Sequence, residues 1–111
     1  MGVYESATSL ASEIKKSKEY KDFQKSMQEV RADEKSENLL KDYKMSQMGL
    51  QSYRIQNKSI DKKTMKRIES LENKIKNNKK VYNYLKNEEK LIKMMNNINV
   101  ILSDAVENDY K

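Results

Sequence analysis

From Val81 to Leu102 the chain reads VYNYLKNEEKLIKMMNNINVIL, and its apolar residues recur at helical spacing for six turns. Neither Pro nor Gly interrupts the run. A period near 3.6 sustained this long predicts one long amphipathic helix, extending from about Lys80 to Glu107. Its apolar positions form two adjacent seams, Val81, Leu85, Ile92, Met95 and Leu102 on one and Tyr84, Leu91, Ile98 and Ala105 on the other. At 1.5 Å per residue, about 28 residues extend about 42 Å. A compact chain of this size has a diameter of roughly 34 Å. A stripe this wide and this long touches more than one neighbour. A second copy of the chain is the economical partner, so a homodimer is expected, either intertwined or side by side. The alternative is a monomeric bundle whose third and fifth helices pair along their length.

The rest of the chain fits the same scheme. Pro is absent and Gly occurs twice in 111 residues, which suits helices joined by short polar breaks. Four more helices are expected, giving an all-α, elongated bundle of one domain with five segments. The first covers about Tyr4 to Lys16, with Val3, Ala7, Leu10, Ala11 and Ile14 on one face and a capping side chain at Ser17. The second covers about Lys18 to Arg31, with Tyr20, Phe23, Met27 and Val30 as its stripe. The third starts after Asp33, an N-cap residue, and runs to about Asn57 with Leu39, Leu40, Tyr43, Gln47, Leu50 and Tyr53 inward. Gly49 inside it costs roughly 1 kcal/mol against Ala. The segment NKSID, about 57–61, is the clearest loop, and Asp61 caps a fourth helix carrying Met65, Ile68, Leu71 and Ile75. Asn77 and Asn78 end that pattern.

Several function classes lose their usual residues. The chain has no Cys and no His. That removes disulfides, thiolate nucleophiles, cysteine-held metals and the commonest general base. No phosphate-binding glycine loop, EF-hand or metal-spaced acid cluster occurs, so no catalytic residue, cofactor or metal is expected. Glu88 falls on the apolar stripe, where pairing with a neighbouring Lys or Tyr to fix register outweighs catalysis. Gly2 and Ser6 fit the loose myristoylation pattern, which occurs often by chance. The start lacks the basic and apolar regions of a secretory signal, and nothing approaches a membrane span. A cytoplasmic protein without membrane insertion is the expectation.

Charge is the other constraint. Between Asn57 and Lys93 twelve Lys or Arg face five acids, so this third of the chain nets +7 while the whole chain nets +6. Lys58, Lys62, Lys63, Lys66, Arg67, Lys74, Lys76, Lys79 and Lys80 make a basic surface for an acidic partner protein or RNA. Only three of the 23 basic residues are Arg, the residue favoured for bidentate phosphate contacts. Protein–protein interaction is therefore the leading reading, with a basic nucleic-acid-binding module as the alternative. A small chaperone-like helical protein, its seam at Met94 and Met95 open to clients, is the third.

The order of residues resembles the YlbF/YmcA/YheA family of small helical proteins from Gram-positive bacteria. The resemblance rests on Ser17, Glu19 and Tyr20, then Val30 and Asp33, then Tyr43, Gln47, Leu50 and Gln51. In the second half it rests on Asn78, Val81, Leu85, Glu88, Glu89, Leu91 and Ile98, so it spans roughly residues 3 to 106. It implies a dimeric, non-enzymatic regulator working through partner proteins. An endoribonuclease complex built on RNase Y, with messenger-RNA processing, competence, sporulation and biofilm formation downstream, is what the family suggests. Some members carry cysteines linked to iron–sulfur binding. This chain has none, which favours the YheA-like branch and transfers no cofactor.

Overall fold

The computed structural model describes residues 2–110 and is all-helical. Five helices follow in order: α1 (Val3–Lys16), α2 (Lys18–Arg31), α3 (Glu34–Ile55), α4 (Lys62–Lys76) and α5 (Lys79–Tyr110). Several boundaries have a local cause. The Ser17 hydroxyl donates to the Ile14 carbonyl at 2.6 Å and accepts from the Tyr20 N–H at 3.2 Å. One side chain thus closes α1 and opens α2. Asp61 accepts from the Thr64 N–H at 2.7 Å and caps α4 as expected. Helix α3 stops two residues before the expected Asn57. That residue takes a left-handed φ of 57°, and the Lys58 N–H turns back to the Tyr53 carbonyl at 3.0 Å. Asn tolerates this conformation well, which makes it a helix stop where Gly is absent.

The described residues gather into two compact units. One takes residues 26–84, comprising the end of α2, all of α3 and α4 and the start of α5. Its core is small: Val30, Ile75, Val81 and Tyr84 are buried, with the serines Ser26 and Ser36 among them. Buried hydroxyls need partners. Asn83 donates to Ser26 at 3.3 Å, and Asn78 donates to Ser36 at 3.1 Å. Helices α3 and α4 pack on one another within this unit.

The other unit takes residues 1–25 and 85–111. Among its described residues none is fully buried. Leu10, Ile14, Tyr20 and Phe23 are half-buried, as are Leu85, Leu91, Met94 and Ile98 of α5. Asn87 ties α5 to α2 through the Asp22 carbonyl at 3.4 Å, and Lys18 pairs with Asp22 at 2.7 Å.

The inward faces expected from periodicity need correction on α1, α3 and α4. On α4, Met65 is 43% exposed and Thr64 is covered in its place. Val3, Ala7 and Ala11 of α1 are exposed, leaving Leu10 and Ile14 as its covered residues. Gln47 of α3 is exposed too, while Leu39, Leu40, Tyr43, Leu50 and Tyr53 are half-buried. The reason lies in α3 itself. Met45, Met48 and Ile55 are 70% exposed or more, so its apolar residues encircle the helix and do not define a single inward stripe.

Candidate functional site

Helix α4 sorts its residues cleanly. Thr64, Ile68, Leu71 and Ile75, spaced four, three and four apart, are covered, and the cations between them are exposed. Nine basic residues were expected to form a surface: Lys58, Lys62, Lys63, Lys66, Arg67, Lys74, Lys76, Lys79 and Lys80. All nine are exposed and all lie in the unit of residues 26–84. Lys80 sits 3.9 Å from the Asp33 carboxylate. The other eight make no ion pair among the described residues, so their charge is not neutralised locally.

Two open clefts lie beside these cations. A groove of about 680 Å³ separates α3 from α4, with Met45, Gly49 and Tyr53 on one wall and Arg67, Ile68 and Leu71 on the other. Lys74 stands at its edge and also borders a second cleft of about 680 Å³. That one is lined by Asp33, Lys35, Leu39, Asn78 and Lys80. Gly49 makes no close approach, because a Cβ built on it meets nothing within 4 Å. Its absence of a side chain simply widens the groove. Apolar floor and cationic rim together suit a partner segment with apolar and acidic residues.

The carboxylates near this surface are held ionised by hydrogen bonds. The Ser36 hydroxyl, helped by Lys80, keeps the Asp33 carboxyl below its ordinary value. Hydrogen bonds from Thr64 do the same for Asp61. Among the described residues no group of three or more acids could hold a metal ion, and no helix is long and apolar enough to cross a membrane.

The expected seam on α5 divides. Val81 and Tyr84 are buried, and Leu85, Leu91 and Ile98 are half-buried. Ile92, Met95 and Leu102 are 51%, 37% and 55% exposed. Glu88 is half-buried. Sequence reasoning missed that the apolar exposure continues along α5 through Val100, Ile101 and Val106, and that α3 turns Met45 and Met48 outward. The signal for Val106 was present, since the seam's spacing continues past Leu102.

A family model described as "Control of competence regulator ComK, YlbF/YmcA" matches residues 3–107. A UPF0342 protein of Desulfitobacterium hafniense is 29% identical over 106 residues, covering 96% of this chain and 86% of its own. A second UPF0342 protein, from Caldicellulosiruptor saccharolyticus, is 30% identical over 105 residues, covering 95% and 88%. A solved structure of a DUF964 protein of unknown function from Bacillus stearothermophilus is similar in fold. Its TM-score is 0.82 at 15% identity, over 98% of this chain and 96% of that one.

Proposed function

The chain belongs to the YlbF/YmcA family described as controlling the competence regulator ComK, and on that premise we propose that it is a non-enzymatic cytoplasmic adaptor. It acts by docking a partner protein on the lysine-rich surface of α4. The observation that carries this reading is the set of eight exposed cations without an ion pair among the described residues, two of which, Arg67 and Lys74, line the groove between α3 and α4. The partner is an acidic helical segment, and the machinery it belongs to is an endoribonuclease complex of the RNase Y kind. Competence, sporulation and biofilm formation follow from the transcripts that complex processes. The protein works as a homodimer, its exposed α5 seam taken up by a second copy.

The test is capture of the endoribonuclease by tagged protein after nuclease treatment of the extract. The variant Lys62→Glu, Lys63→Glu, Lys66→Glu, Arg67→Glu loses that capture while its helical circular dichroism stays unchanged. Undiminished capture by the variant overturns the site. Capture that disappears with the nuclease supports the second reading, direct RNA contact by the same lysines. In that case affinity falls steeply and linearly in log–log with salt.

A further inference from the structure

Glu88, Ile92, Met95, Asn99, Leu102 and Val106 follow one another on α5 at alternating spacings of four and three residues. This is the heptad spacing that lines up one seam along a helix. All six lie in the unit of residues 1–25 and 85–111. Beyond Glu88 the seam is open: Ile92, Met95, Leu102 and Val106 are 37–59% exposed, and Asn99 is exposed between them. The half-buried residues Leu91, Met94 and Ile98 lie on the adjacent stripe. The open seam is nearly symmetric about Asn99, with Ile92 and Val106 seven residues to either side and Met95 and Leu102 four before and three after.

We infer that this seam pairs with the same seam of a second copy running antiparallel, with Asn99 facing Asn99 at the two-fold axis. The inference deepens the homodimer reading above and rests on it. A two-fold interface must be self-complementary, and a seam symmetric about one residue of a helix meets that demand in antiparallel register. Ile92 then packs on Val106 and Met95 on Leu102, each pair occurring twice.

Charge chooses the direction. A parallel pair sets Glu88 against Glu88 inside the seam and Asp104, Glu107 and Asp109 against their own copies. An antiparallel pair about Asn99 places residues 104–109 opposite 89–94. Asp104 and Glu107 then lie along the turns of Lys90 and Lys93, with Asp109 alongside Glu89, and the helix dipoles are opposed. Asn99 fixes the register. Its amide both donates and accepts, so two of them satisfy each other, whereas a slip by one heptad sets each against an apolar residue.

The chain has no cysteine, so introduced thiols are the only ones present. Ile92→Cys and Val106→Cys chains, mixed and treated with a short bis-maleimide, give the mixed cross-linked dimer as the main product. Each alone gives at least tenfold less. Self-cross-linking of Ile92→Cys with itself indicates a parallel pair and overturns the inference. Sedimentation of the unmodified protein separates the remaining outcomes. A dimer that cross-links at neither position uses another face, which overturns the inference and leaves the homodimer reading standing. A monomer at all accessible concentrations overturns both. Leu102→Glu, at an exposed position that leaves folding intact, weakens the dimer at least tenfold. Asn99→Leu retains a dimer but adds cross-links in slipped registers.

Discussion

Ser36 and Asn78, 42 residues apart, are joined by a hydrogen bond from the Asn78 amide to the Ser36 hydroxyl at 3.1 Å. Both ends of this contact have a second duty. The Ser36 hydroxyl donates onward to the Asp33 carboxylate at 2.5 Å, and the Asn78 oxygen accepts the Val81 N–H at 3.1 Å. The N-terminus of α3 and the N-terminus of α5 are thereby fastened together by one chain of donors and acceptors. Ser36 is 0% exposed, so water cannot replace a lost partner.

Replacing Ser36 by Ala leaves the Asn78 amide without its acceptor and is expected to cost about 1–3 kcal/mol. Asn78→Ala removes the cap on Val81 as well and costs more than Ser36→Ala. Urea unfolding of the two variants orders them. Equal midpoints would show that the tie between the helices, and not the cap, carries the effect.

Acid should loosen this joint. Ser36 and Lys80 hold the Asp33 carboxyl below its ordinary value, and Lys18 does the same for Asp22. A carboxyl lowered in the folded state contributes its full stability above the unfolded value and loses it as pH falls through the folded one. Unfolding midpoints are therefore flat near neutrality and fall below about pH 4. In Ser36→Ala the fall is shallower, because the hydrogen bond that lowers Asp33 is gone. Parallel acid limbs in the two proteins would remove Asp33 from the account.

Gly49 sits in the interior of α3 with open space where a Cβ would project. Gly49→Ala is expected to stabilise the protein by about 0.5–1 kcal/mol, since Ala restricts the unfolded chain and meets no obstacle. A loss of stability on thermal melting would mean that the groove wall at this position is closed in solution.

Val81 and Ile92 belong to one seam by spacing, yet they differ in cover: 0% against 51% exposed. Val81→Ala should cost about 2 kcal/mol whatever the protein concentration. Ile92→Ala should cost less than about 0.5 kcal/mol at concentrations where the chain is monomeric. Its cost grows with concentration as dimer forms, because binding to the folded state adds stability by mass action. A concentration-independent deficit for Ile92→Ala would place its partner within the chain.

Most of the fold was legible because its punctuation is local. Ser17, Asp61 and Asn57 act on neighbours three to five residues away, so reading along the chain finds the helix ends to within a few residues. The basic surface was legible for a similar reason: lysines between the covered positions of a helix have nowhere to go but solvent. Gln47 and Val3 were misread because periodicity reports which residues share a face, not whether anything lies against it. The Ser36–Asn78 tie was illegible, since either residue alone reads as an ordinary helix-start polar group.

By itself, then, the sequence determined five helices, their approximate ends, the position of the positive charge and the two apolar seams of α5. Only the tertiary structure decided which stretches of those seams are covered, burying Val81 and Tyr84 and leaving Ile92, Leu102 and Val106 open. The division is physical. Helix formation is settled by hydrogen bonds and caps within a few residues, whereas burial depends on which distant segment comes to lie alongside. Spacing along one helix does not encode that choice.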